Sequence, residues 1–259
     1  MISLEKLIRV FNENFNDILS GLITTLLLAV IGTVVGLILG IFLAYGKNIK
    51  IKESDNKVIK VLKTFGLYFC KIYSTVLRGT PMMVQALIFK YACQGIGLYW
   101  EMVTFPAEIS NVINGWLCAG LIVITLNTTA YMGEIIQSGL NGVDAGQTEG
   151  ALSLGMSKGQ ASLLIILPQA IRNALPTIGN ELIVNIKDSS VLNIIAVAEL
   201  FYRFKDIATT NYAFLECYLL IAAIYLVLTI IASIAIKLIE KKLDGNKIFT
   251  NVFAKKEEF

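Results

Sequence analysis

Residues 18–46 read ILSGLITTLLLAVIGTVVGLILGIFLAYG and contain no charged side chain. A bilayer core of about 30 Å is crossed by about 20 apolar helical residues, and this run exceeds that length. It is also too long for the roughly 7–15-residue core of a cleavable signal peptide, and no A-x-A site follows it. It therefore reads as a retained span. Four further stretches lie outward from it: 65–91, apolar but carrying Lys71, Arg78 and Pro81; 109–133, uncharged; 178–200, interrupted by Lys187 and Asp188; and 213–237, uncharged from Cys217 to Ile236. The expected fold class is all-α, a single membrane domain over residues 1–259 with five transmembrane helices.

Composition points the same way. Of the 259 residues, 56% are hydrophobic and 16% charged, with a mean hydropathy of +0.70, whereas a soluble domain carries about 25% charged residues. A formal net charge of +3 is too small to draw a nucleic acid. The chain has no histidine, which removes zinc-protease, Ser-His-Asp, Cys-His and phosphohistidine chemistry. Cys70, Cys93, Cys118 and Cys217 are too widely spaced for a disulfide framework or a metal knuckle. Three of them fall in apolar runs, where a thiol acts as a small hydrophobe. No internal repeat is visible, so the repeated halves of many secondary transporters are not expected.

Lysine and arginine placement sets the orientation. The loop after the first span carries Lys47, Lys50, Lys52, Lys57, Lys60 and Lys63, and the tail after the fifth carries Lys237, Lys241, Lys242, Lys247, Lys255 and Lys256. Between the second and third spans stand Lys90, Glu101 and Glu108. This asymmetry puts the N-terminus outside, the C-terminus in the cytoplasm, and the lysine loop beside anionic lipid. The segment at about 142–176 is then cytoplasmic. Its punctuation predicts a helix-turn-helix: Asp144 with Gln147 as a capping pair, a helix over Ala145–Leu154 closed by Gly155, then Ser157 with Gln160 as a second capping pair and a helix halted by Pro168. Such a short helix is marginal alone and needs its own bundle or another protein to pack against.

Glu149-Gly150-Ala151, then Gly155, then Ile165, Leu167 and Pro168 resemble the EAA loop of the permease subunits of bacterial ABC importers. That pattern is Glu-Ala-Ala, a glycine at the seventh position, and Ile-x-Leu-Pro at the end. Gly150 stands where the family has alanine, which weakens the helix by up to about 1 kcal/mol yet keeps the surface small. Arg78-Gly79-Thr80-Pro81 with Gln85, Thr129-Ala130-Tyr131 with Glu134, Leu167-Pro168-Gln169-Ala170, and Lys187-Asp188-Ser189-Ser190 resemble the polar amino-acid branch of that family. The resemblance runs from about Tyr68 to the C-terminus. It implies a type I ABC importer transmembrane fold whose cytoplasmic coupling helix, with Glu149, Gly150, Ala151 and Gly155, sits in a groove of an ABC ATPase subunit. It further implies a second permease subunit, either a copy or a relative, and an extracytoplasmic solute-binding protein.

Ionisable groups inside spans are costly and rarely idle. Arg78 either holds a solute carboxylate or pairs with an acid on another helix. Lys187 and Asp188 divide the fourth span at a pathway or gate position, or at a local packing feature. Asn127, Thr128 and Thr129 form a polar patch suited to helix-to-helix bonding. Thr80, Gln85 and Asn127 join Arg78, Lys187 and Asp188 as pathway candidates, Glu216 reads as an interfacial cap, and Pro81 and Pro176 as kink and stop.

No G-x-x-x-x-G-K-[ST] motif is present, so the chain is expected to bind no cofactor, with ATP and Mg held by the partner ATPase. The expected function is that of a permease subunit in the bacterial cytoplasmic membrane, moving a polar amino acid by alternating access, with no catalysis of its own. The alternative is a secondary transporter driven by an ion gradient.

Overall fold

The computed structural model describes residues 4–107, 109–110 and 112–244; Glu108, Lys247, Lys255 and Lys256 lie outside them. The chain opens with a short amphipathic helix, α1 (Leu4–Glu13), whose Val10 is buried and whose Lys6 lies 3.3 Å from Glu216. The uncharged run becomes α2 (Phe15–Lys47), bounded by Asp17 in its first turn and Lys47 in its last. The loop that follows is fastened at Asp55, whose carboxylate accepts from the Lys52 N–H at 2.9 Å and from Lys63 Nζ at 2.6 Å. The Lys63 hydrogen bond holds that carboxyl below its ordinary range.

The stretch expected at 65–91 is divided in two. α3 (Lys57–Gly79) ends before an extended Thr80, and α4 (Met82–Gly95) begins after Pro81. Pro81 has no N–H to donate and drives the preceding residue out of the helical region. α5 (Gly115–Asn141) starts later and runs further than the uncharged stretch 109–133. Its first turn is capped by Asn114, whose side chain accepts from the Leu117 N–H at 2.9 Å.

α6 (Ala145–Ser153) and the single turn α7 (Lys158–Gln160) follow. Three expectations are corrected here. Asp144 does cap α6, accepting from the Gly146 N–H at 2.6 Å, but Gln147 does not reciprocate; its side chain accepts from Gln169 Nε2 at 3.2 Å. The tertiary contact wins over the local one. Pro168 does not halt the helix either: a wider π-turn over Ala161–Ile166 leads directly into α8 (Leu167–Asp188), where Pro168 occupies the first turn and its missing N–H costs little. Pro176 lies inside α8 and is no stop. α8 gives way at Asp188 to a 3₁₀ segment, Ser189–Ile195, closed by Ala196 at φ 70°. α9 (Leu200–Asn211), which the hydropathy pattern did not announce, precedes α10 (Phe214–Asp244).

Phe15–Lys47, Gly115–Asn141, Lys158–Ile195 and Phe214–Lys242 are each long and apolar enough to cross a bilayer. The bundle is organised on the seam between α2 and α5. Gly32, Gly36 and Gly40 of α2 face Ile124, Thr128 and Met132 of α5, and a Cβ placed on Gly40 would come within 2.5 Å of Met132 Cβ and 2.9 Å of its carbonyl carbon. Small residues at this spacing let two backbones approach closely, which is how helices associate where lipid supplies no hydrophobic drive. α8 closes on the seam through Asn185, whose amide donates to Thr33 of α2 at 2.8 Å and accepts from Thr128 of α5 at 3.1 Å. Around it sit Leu28, Ile124 and Leu192 toward one end and Ala44, Met132 and Ile178 toward the other. The four cysteines are free, Cys93 and Cys217 being buried.

Candidate functional site

Two groups of side chains stand out from the bundle, one at the break between α3 and α4 and one on the exposed segment between α5 and α8. At the first, the last turn of α3 carries Arg78, whose guanidinium lies 2.7 Å from Glu134 Oε1 of α5. The same oxygen takes Lys47 Nζ at 2.6 Å and the Ser74 hydroxyl at 3.0 Å, while Lys47 also donates to Ser74 at 2.8 Å. Three helices thus converge on one carboxylate. Two cations against one anion leave the group with a local positive charge, and the Arg78 guanidinium lies 5.8 Å from the Tyr131 ring. Of the two roles open to Arg78, the structure displays the pairing with an acid on another helix. Glu134 also borders an open cleft of about 510 Å³ lined by Ser138, Gly139, Asn173 and Thr177.

Directly beyond the break, Gln85 Nε2 donates to the Leu77 and Thr80 carbonyls at 2.8 and 2.9 Å and lies 2.9 Å from the Thr80 hydroxyl; Asn127 Nδ2 donates to Gln85 Oε1 at 3.0 Å. The bond to Leu77 satisfies the carbonyl that Pro81, having no N–H, leaves without its helical donor. Thr80, Gln85 and Asn127 are therefore brought together, while Arg78 bonds separately to Glu134. Lys187 and Asp188 are not part of this group: they end α8, Lys187 exposed and Asp188 half-buried.

The second group is α6. Glu149 and Gly150 face solvent, whereas Ala151 is buried. Leu154 beside them is 86% exposed, an aliphatic side chain that this chain leaves uncovered. The helix closes with the Met156 N–H on the Ala151 carbonyl at 3.1 Å and the Gly155 N–H on the Leu152 carbonyl at 3.0 Å, the paired bonds of a Schellman end. Gly155 adopts φ +84°, a left-handed conformation that penalises any side chain. A Cβ on Gly150 would meet nothing within 4 Å, so the alanine usual at that position fits here. Ser157 and Gln160 form the reciprocal capping box their spacing predicts. The cap geometry of the loop is thus as its punctuation implies, except at Gln147 and Pro168.

Sequence reasoning missed three residues. Lys47 reads in the sequence as an orientation signal, yet it shares Glu134 with Arg78. Asn185 and Thr33 lie inside apolar runs, and nothing local marks them as partners. The Gly32-x-x-x-Gly36-x-x-x-Gly40 spacing was a usable signal for the α2 seam.

The family described as "Binding-protein-dependent transport system inner membrane component" matches residues 62–245. The probable amino-acid permease protein YxeN of Bacillus subtilis (strain 168) is 41% identical over 171 residues, 66% of this chain and 71% of that protein. The arginine transport system permease protein ArtQ of the same organism is 32% identical over 180 residues, 70% of this chain and 76% of that protein. Among solved structures, "Crystal structure of an amino acid ABC transporter with histidines" superposes with a TM-score of 0.72 at 33% identity, covering 93% of this chain and 99% of that one.

Proposed function

As the chain belongs to the family of binding-protein-dependent transport system inner membrane components, we propose that it moves a polar amino acid inward across the cytoplasmic membrane by alternating access, powered by ATP hydrolysis on another subunit. It is an ABC importer permease, a multi-pass membrane protein and a transport component rather than an enzyme. Membership implies ATPase and binding-protein partners. Amino acids are named for two of its relatives and one solved structure, and that supports the solute class.

In this reading α2, the broken α3–α4 pair, α5, α8 with its 3₁₀ extension, and α10 are the five spans, with the N-terminus outside. They meet the same spans of a second permease subunit, a copy or a relative. Arg78, Thr80, Gln85 and Asn127 stand beside the solute pathway, and Lys187 and Asp188 act at its gate. Glu149, Gly150, Ala151 and Gly155 form the coupling helix, which closes onto the ATPase when ATP draws the two nucleotide-binding subunits together. ATP and Mg bind on that partner.

One observation carries the assignment: α6 is capped at both ends and anchored by Ala151, yet presents Glu149 and Leu154 to solvent. A nine-residue helix with such a face gains its full stability only against a groove. Proteoliposomes holding the complete complex, with solute-loaded binding protein outside, should accumulate solute only when ATP and Mg are present on the ATPase side. Uptake driven by an ion gradient without ATP would favour the secondary-transporter reading instead.

A further inference from the structure

The π-turn between α7 and α8 has a second feature besides carrying the helix past Pro168. Within it, the Leu167 N–H reaches back to the Ser162 carbonyl. Such turns are rare and recur at functional positions. Pro168 explains why the helical ladder must widen, since its ring crowds the preceding turn, but it does not explain where the widened turn is fastened. The fastening is Tyr45, in the last turn of α2 and 117 residues away in sequence. The Ser162 hydroxyl donates to Tyr45 Oη at 2.9 Å, and Tyr45 Oη lies 3.4 Å from the Ser162 carbonyl as donor. The clamp therefore grips the very carbonyl that the π-turn uses.

Its position links two machines. On one side, α6 packs against this same turn, with Ala151 and Ala161 both buried. On the other, Lys47 lies two residues past Tyr45 and binds Glu134 and Ser74, and Asn48 donates to Gln137 of α5. One turn of α2 thus holds the base of α6 and the carboxylate that gathers α3 and α5.

We infer that Tyr45 and Ser162 form the joint through which a displacement of docked α6 is passed to α2 and on to the Glu134–Arg78 group. This rests on the reading of α6 as the coupling helix. Both are positioning residues, half-buried and acting through the elements they tie together. The bundle does not depend on them for packing, which the glycine seam supplies. Removing a hydroxyl lets the turn slip against α2 while the helices stay assembled.

The test uses the complete complex in liposomes, comparing wild type with Tyr45→Phe, Ser162→Ala and the double variant. Assembly and basal hydrolysis should stay at wild-type levels. Hydrolysis stimulated by loaded binding protein, and solute imported per ATP, should fall by roughly two- to tenfold, as the loss of one hydrogen bond allows. The double variant should be no worse than Tyr45→Phe alone, because loss of the Tyr45 hydroxyl already removes both contacts of the clamp. Wild-type stimulation and stoichiometry in both single variants overturns the joint. So does an additive double variant, and so does loss of assembly, which would make the contact merely structural. Glu149→Lys, run in parallel, separates the two readings: normal stimulation there with a loss in Tyr45→Phe overturns α6 docking, whereas the reverse overturns the joint alone.

Discussion

Along the seam of α2 and α5, three glycines bring two backbones together and a buried asparagine bonds to both walls. At α6, one alanine is buried and the rest of the helix faces solvent. The same residue type, glycine, serves opposite ends in the two regions. At Gly40 it creates contact by having no side chain; at Gly155 it permits a backbone turn, with open space around it. The seam is closed within one chain, whereas α6 leaves all but one of its side chains uncovered.

The largest effect expected from this contrast is at Gly40. A Leu there must displace Met132 and the α5 backbone behind it, which is overpacking with no flexible end to yield, so the loss should reach about 3 kcal/mol or more. Gly40→Leu should give little assembled complex and a strongly lowered unfolding temperature in detergent. A wild-type melting profile would mean that the seam is not the core of the bundle.

A smaller loss is expected from Asn185→Leu, which deprives Thr33 and Thr128 of their shared partner. Interhelical hydrogen bonds in membranes contribute about 0.6 kcal/mol on average and up to about 1.7, so the pair should be worth about 1–2 kcal/mol. Thermal unfolding of the purified complex should register it, and Asn185→Gln should not restore it, because the longer amide misplaces both bonds. An unchanged midpoint in Asn185→Leu would show the seam to be held by shape alone.

How far these regions are legible in the sequence follows from the range of their interactions. The uncharged run from Ile18 to Gly46 and the capping punctuation of Ser157 and Gly155 are local signals, and the structure has the corresponding helix and caps. Gln147 departs because Gln169, 22 residues on, competes for its side chain. The break at Thr80–Pro81 is local too, but its repair is not: Asn127 reaches Gln85 across 42 residues. Pro168 looks like a stop because propensity alone cannot show that a π-turn with a packed partner absorbs it. Arg78 could be marked as important from the cost of its charge, whereas its partner Glu134 and the third member, Lys47, depend on how α2, α3 and α5 are arranged.

The exposed region should answer to smaller free energies with a sharper functional signature. Gly155→Val places a β-branched residue at φ +84° with nothing to clash against, so the cost is backbone strain of about 1–2 kcal/mol, spent locally. Membrane insertion and the melting of the bundle should be near normal. ATPase association, or hydrolysis stimulated by loaded binding protein, should drop sharply as the Schellman end is lost. A variant that melts early in the manner of Gly40→Leu would break the distinction between the two regions.

The smallest effect, and the one of opposite sign, belongs to Gly150→Ala. Gly150 lies in the interior of α6, and the added Cβ meets nothing within 4 Å. Removing a helical glycine there should stabilise α6 by up to about 1 kcal/mol, chiefly because the unfolded chain no longer explores glycine's extra conformations. Bundle melting should not change, since α6 contributes little to it. What should change is the cost of ordering the helix on docking: the ATPase should bind this variant as tightly as wild type or up to about fivefold tighter, in line with that free energy. Titration of purified ATPase onto permease in nanodiscs would measure it. Weaker binding would mean that the groove meets position 150 more closely than an alanine allows, and that the glycine is there to fit the partner.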